Sequence, residues 1–200
     1  MNKETFIFIG ASGSGKGTQV KLLKEELRKK SETPIFYLQT GQYFREFVKG
    51  DTYAADIARD ANKNGERQPD FLAMWLWSDI FVKNITGKEH LIIDGSPRSL
   101  NEAQNLDIAM KFFKREQPTV IYLKVSREWS FKHLMERAEQ EGRSDDTPES
   151  INHRLDWFER DVMPAINYYR RDRDYDYIEI NGERSIEEVH QELMANVFGE

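Results

Sequence analysis

The chain has 200 residues, 38% hydrophobic and 32% charged, with a formal net charge of −6. That length fits one domain with a sizeable core, and 12 Phe, 8 Tyr and 4 Trp exclude a disordered chain. No apolar run approaches the ~20 residues of a membrane span, the acidic balance argues against a nucleic-acid binder, and the lack of cysteine excludes disulfides and thiolate metal sites. The apolar run near the start is too short for a secretory signal, so a cytoplasmic protein is expected.

In chain order, the β-rich run Thr5–Ile9 is followed by the glycine-rich stretch GASGSGKGTQ at 10–19 and by helical spacing over Gln19–Lys30. A second strand is predicted at Ile35–Leu38. The polar stretch Lys49–Pro69 then reads as a segment packed loosely on the main body. Helix is predicted over Asp70–Asn84, strand over His90–Ile93, helix over Glu102–Lys114 and strand over Thr119–Val125. The final third reads as helix Trp129–Glu139, a second loose segment Ala138–Pro148, helix Glu149–Arg171, strand Tyr177–Ile180 and helix Ser185–Val197. HLIID and TVIYLKV lack clean alternation, as strands buried on both faces do. Strands alternating with helices predict an α/β fold on a parallel sheet, with ligands at the carboxyl ends of the strands.

A strand, a glycine-rich loop and a helix in that order form the setting for phosphate binding. Successive N–H groups of such a loop create an anion-binding concavity, to which the helix N-terminus adds its own. The spacing Gly10-x4-Gly15-Lys16 makes Gly13, Ser14, Gly15, Lys16, Gly17 and Thr18 the candidate phosphate cradle, with Lys16 supplying a full charge. Gly17 stands where a Ser or Thr usually helps to hold Mg²⁺. Asp94, ending an apolar strand, is suited to Mg²⁺ directly or through water, or else to capping a helix. Asp145 and Asp146 are open to the same capping role. Arg98, directly after a buried strand, and Arg143, beside the acidic pair, are candidates for phosphate contact, because a guanidinium stays charged and binds phosphate oxygens bidentately.

GKGT, in place of GK followed directly by Ser or Thr, resembles the opening of the adenylate kinase family of nucleoside monophosphate kinases. Further segments agree in order and spacing: TGQYFRE at 40–46, NGERQPD at 64–70, LIIDGSPRS at 91–99, the series Arg137, Arg143, Asp145, Asp146 and Arg154, and EINGERSIEEV near the end. The resemblance implies a P-loop three-layer α/β/α fold with a five-stranded parallel sheet. It divides a single domain into a core (1–38, 70–136 and 147–200), an acceptor-binding segment (39–69) and a lid (137–146). The short span from Arg137 to Arg143, without cysteines, makes the lid the short type, and the resemblance has Asp145 and Asp146 organise the closed lid near the nucleotide as the alternative to capping. The resemblance further implies ATP and Mg²⁺ as cofactors, a nucleoside monophosphate as acceptor, and a monomer.

Carried over by position, Lys16, Arg98, Arg137, Arg143 and Arg154 are the expected catalytic residues. His133 and Arg137 join the loop in binding the donor, and Asp94 holds Mg²⁺ through water. Thr40, Gly41, Arg45, Gln68, Gly95, Arg98, Glu102, Gln104, Arg143 and Arg154 are expected around the acceptor. Glu102 stands where the family often carries a glutamine that reads adenine. An ionised glutamate only accepts hydrogen bonds, so it matches adenine N6 but opposes N1, whereas guanine and cytosine offer donors. Gln104, two residues on, and Gln68, where small aliphatic residues are usual, bear on the same question. AMP is the favoured acceptor, GMP and CMP or UMP are alternatives, and a catalytically silent nucleotide-binding regulatory module is the reading from another class.

Overall fold

The computed structural model describes residues 3–141 and 146–199. Five strands, β1 (Thr5–Ile9), β2 (Ile35–Gln39), β3 (His90–Asp94), β4 (Thr119–Lys124) and β5 (Asp176–Asn181), form one sheet in the order β2-β3-β1-β4-β5. Every neighbouring pair is parallel, with Phe8 level with both Asp94 on β3 and Ile121 on β4. The predicted parallel sheet is therefore present, with each strand within two residues of its expected ends.

Alternation along β1 divides the core. Phe6 and Phe8 join Val20, Leu23 and Leu27 of α1 (Lys16–Lys30) and Val189 and Leu193 of α9 (Ile186–Phe198) on one face. Ile7 and Ile9 join the other layer, built by α4 (Asp70–Asn84), α5 (Leu100–Phe112), α6 (Arg127–Glu141) and the helices that follow it. Both faces are covered, which is why the strands read as continuous apolar runs. No helix among the described residues is long and apolar enough to cross a membrane.

Two expectations need correction. The segment after β2 is mostly helical: α2 spans Thr40–Phe47 and α3 spans Tyr53–Lys63, with Thr52 Oγ1 accepting from Ala55 N at 3.1 Å as its N-cap. Its buried face is small, resting on Ala55 and Ala58, so the apolar periodicity is faint. The continuous helix expected over 149–171 is instead α7 (Pro148–Trp157), a π-helical turn (Phe158–Val162) and α8 (Met163–Arg171). Pro164 has no N–H with which to continue the ladder, and Met163 N–H reaches back to the carbonyl of Phe158, five residues away.

Helix starts also differ from the aspartate caps considered. The start of α7 is a capping box made by Thr147 and Ser150, and that of α5 is Ser99, whose Oγ accepts from Glu102 N at 3.0 Å. Asp94 and Asp146 are thereby left for other work, while Asp145 lies outside the described residues.

Candidate active site

The carboxyl ends of β1, β2 and β3 open into a cleft of about 1270 Å³. Its floor is the loop between β1 and α1. Gly13 adopts φ +82°, and a Cβ there would lie 2.8 Å from the carbonyl of Ser130 in α6, so only glycine lets the loop and α6 approach this closely. Gly15 caps α1 at φ +86°, and Ser12 through Thr18 line the cleft.

Lys16 Nζ folds back over this loop, donating to the carbonyls of Gly10 (2.7 Å) and Ala11 (2.8 Å). Lys16 keeps some exposed surface, but the protein around its ammonium disfavours charge. Burial brings its pKa down to about 8, with Asp94 opposing the shift and Arg98 and Arg137 adding to it. Asp94 closes β3 and lines the cleft, and Tyr37 OH donates to its Oδ2 at 2.9 Å. Tyr37 went unnoticed in the sequence because it belongs to a different strand, and only parallel pairing of β2 with β3 brings the two together.

Four expected arginines, Arg45, Arg98, Arg137 and Arg154, converge on the same cleft. Arg98 Nε donates to Gly95 O at 2.8 Å, and its guanidinium lies 5.7 Å from the ring centre of Trp157. Burial lowers the Arg98 pKa, opposed by Glu102 and Asp94. Asp146 lies between the other pair. Its Oδ2 accepts from Arg137 Nε (3.0 Å) and Nη2 (2.7 Å), and its Oδ1 from Arg154 Nη2 (2.5 Å). The Asp146 side chain is 0% exposed, so it orients both guanidiniums from beneath. Arg143 lies outside the described residues.

His133 lines the cleft, stacked on Trp129 with ring centres 4.3 Å apart. Gly41 and Gln68 also line it. Thr40 sits just beneath, its Oγ1 2.9 Å from Ser96 Oγ. Gly95, at φ +87°, lines a small adjoining cavity of about 50 Å³ with Pro97 and Arg98.

Glu102 and Gln104 are not at the cleft. Glu102 is 0% exposed, and its carboxylate accepts from Trp77 Nε1 (3.1 Å) and from the backbone N of Arg98 (2.6 Å). Burial raises its pKa against the opposing bond from Arg98. The glutamate therefore anchors the turn that carries Arg98. Gln104 lies on the exposed outer face of α5.

Several cleft residues escaped the sequence reading. Arg59 on α3 ties the acceptor segment together, donating through Nε to Val48 O (3.0 Å) and through Nη2 to Gly50 O (3.0 Å). Trp157 on α7 donates from Nε1 to Gly65 O at 3.1 Å, and His153 Nδ1 lies 3.0 Å from Asn64 O. Gly65 has φ +68°, and a Cβ on it would meet Ser150 O at 2.7 Å. Thus the end of α3 is keyed to the helix that carries Arg154. The Gly in NGERQPD was the only sequence signal for this contact.

A glycine-rich loop at a helix N-terminus, seven Lys and Arg side chains and one strand-end carboxylate in one cleft are the means of handling two phosphate-bearing molecules at once. The family model for adenylate kinase matches residues 8–174 of this chain. Adenylate kinase of Leptospira biflexa serovar Patoc is 31% identical over 191 residues, covering 96% of this chain and 98% of that protein. Adenylate kinase of Azobacteroides pseudotrichonymphae is 30% identical over 188 residues, 94% of each chain. That of Thermus thermophilus is 32% identical over 166 residues, 83% of each.

Proposed function

Because this chain belongs to the adenylate kinase family, we propose that it catalyses reversible phosphoryl transfer, ATP + AMP giving two ADP. The observation that carries this reading is the convergence of Lys16, Arg45, Arg98, Arg137 and Arg154 on one cleft. An ATPase needs one nucleotide site, whereas a cleft with cationic groups at both ends suits two phosphate chains meeting in line.

Lys16 and the N–H groups of the loop take the donor phosphates, with His133 beside the donor base. Arg45 and Arg98 hold the acceptor phosphate. An oxygen of that phosphate attacks the γ-phosphorus as the bond to the β–γ bridging oxygen breaks, and the bridging oxygen leaves on ADP. Charge on the migrating group is met by Arg137 and Arg154, preset by Asp146, and by Arg143. Removal of one such preorganised contact costs roughly 3 kcal/mol of barrier.

The residues present fit Mg²⁺. Asp94 ends β3 in the cleft that Lys16 also lines, and one carboxylate suits an ion held mainly by phosphates and water. Asp94 is that carboxylate. Bound there, Mg²⁺ would supply charge neutralisation across the β- and γ-phosphates.

In this reading the segment 39–69 moves over a fixed core to exclude water from the transfer. The enzyme acts in the cytoplasm as a monomer. The case for GMP rested on Glu102 facing the base, and Glu102 is engaged inside the protein. The test is a coupled assay with Mg-ATP and AMP, GMP, CMP or UMP in parallel. Fast turnover with AMP is expected, and tight ATP binding without turnover of any acceptor would overturn the reading.

A further inference from the structure

Phosphate chemistry leaves one buried group of the cleft unexplained. Gln68, just before α4, lines the cleft and is 5% exposed. Its Nε2 donates to Ala58 O at 2.9 Å and lies 2.8 Å from Asn62 Oδ1. A backbone carbonyl can only accept, so the bond to Ala58 fixes the amide with its nitrogen toward α3. The other end, Oε1, is buried and has no hydrogen-bond partner among the described residues. Buried polar atoms in native proteins are nearly always paired, and one that is not calls for a reason.

Resting on the function proposed above, we infer that Gln68 Oε1 reads the acceptor base by accepting a hydrogen bond from the 6-amino group of adenine. Both amide hydrogens of Gln68 already point at protein acceptors, so the side chain can offer a base only an acceptor. The 6-amino group carries the only N–H donors of adenine once N9 bears the ribose. Hypoxanthine, with oxygen at position 6, would set one acceptor against another, and a site built around a hydrogen bond rejects such an analogue strongly. Of the other acidic and amide groups expected at the base, Glu102 is occupied by Trp77 and Arg98, and Gln104 lies on the exposed face of α5. Oε1 is covered in this conformation, and the gain of a partner for an unpaired carbonyl favours a rearrangement that uncovers it while both Nε2 bonds hold.

The test is calorimetric titration of the full-length protein with AMP, purine riboside 5′-monophosphate and IMP. The wild type should bind AMP at least about tenfold more tightly than either analogue. Gln68→Met, matched in length but unable to accept, should bind all three alike with ATP affinity unchanged. Gln68→Glu keeps an acceptor while losing the bond to Ala58, and should retain the preference for AMP. A purely structural role would weaken Met and Glu variants together, for every acceptor. Thermal melts check each fold, and Gln68→Leu replaces the Met variant if that one fails to fold. Equal binding of AMP and IMP by the wild type, or full discrimination in the Met or Leu variant, would overturn the inference. Binding is read without turnover, so an inactive protein that still prefers AMP would sink the kinase reading and leave the Gln68 contact standing.

Discussion

The two ends of the cleft are built by different means. At the donor end backbone does most of the work: Gly13 and Gly15 take positive φ, α6 docks on the loop, and N–H groups converge where α1 begins. At the acceptor end side chains decide the shape, with Arg59 binding α3 to the turn after α2, Gln68 anchored to Ala58, and Glu102 holding the turn of Arg98. A backbone cradle is specified by a few residues in a row. A side-chain cradle needs partners that only the fold brings together.

The sharpest way to break this contrast is Lys16→Met. If the one full charge in the donor cradle matters as its position implies, kcat falls by about 10²–10³-fold in the coupled assay while the melting temperature holds. A loss under about tenfold would mean that the loop backbone suffices alone. Asp146→Asn comes next. It removes a buried charge between two guanidiniums and should lower stability by about 3 kcal/mol in urea unfolding, with kcat falling as Arg137 and Arg154 lose their orientation. Unchanged stability would show that Arg137 and Arg154 are held by other contacts.

A smaller effect concerns pH. Burial brings Lys16 down to about 8, so the free protein loses this charge as pH rises through that value. Bound triphosphate favours the ammonium. ATP binding should therefore take up a proton near pH 8, and its Kd should rise above that pH, both measurable by calorimetry in buffers of different ionisation heat. Proton release on binding would contradict the placement of Lys16. The smallest expected effect is at Glu102→Gln, which should leave the ratio of AMP to GMP turnover unchanged because residue 102 faces Trp77 and the Arg98 backbone. A raised ratio would return that residue to the base.

The same contrast explains what was legible in the sequence. The sheet, the loop and the presence of Arg45, Arg98, Arg137 and Arg154 at one cleft were readable, because apolar strands, glycine spacing and DGSPR are contiguous signals. The base pocket was not. Glu102 aligns with a base-reading position, yet Trp77, far away in sequence on α4, claims its carboxylate. Helix α3 is faint in the sequence because alanines make a weak apolar face, and the π-helical turn is hidden because Pro164 falls inside an otherwise long helical pattern. Asp146 reads in the sequence either as a cap or as an organiser of the lid, and its contact with both Arg137 and Arg154 depends on α6 and α7 packing together.

Trp157 carries a consequence of another kind. Its indole donates to Gly65 at the tip of the acceptor segment, sits beside Arg98 and rides on the helix of Arg154. If that segment opens as proposed, a chromophore loses a hydrogen bond. The molecule thus contains its own optical reporter: the difference in intrinsic fluorescence between the wild type and Trp157→Phe would time nucleotide entry and departure in a stopped-flow trace without a dye.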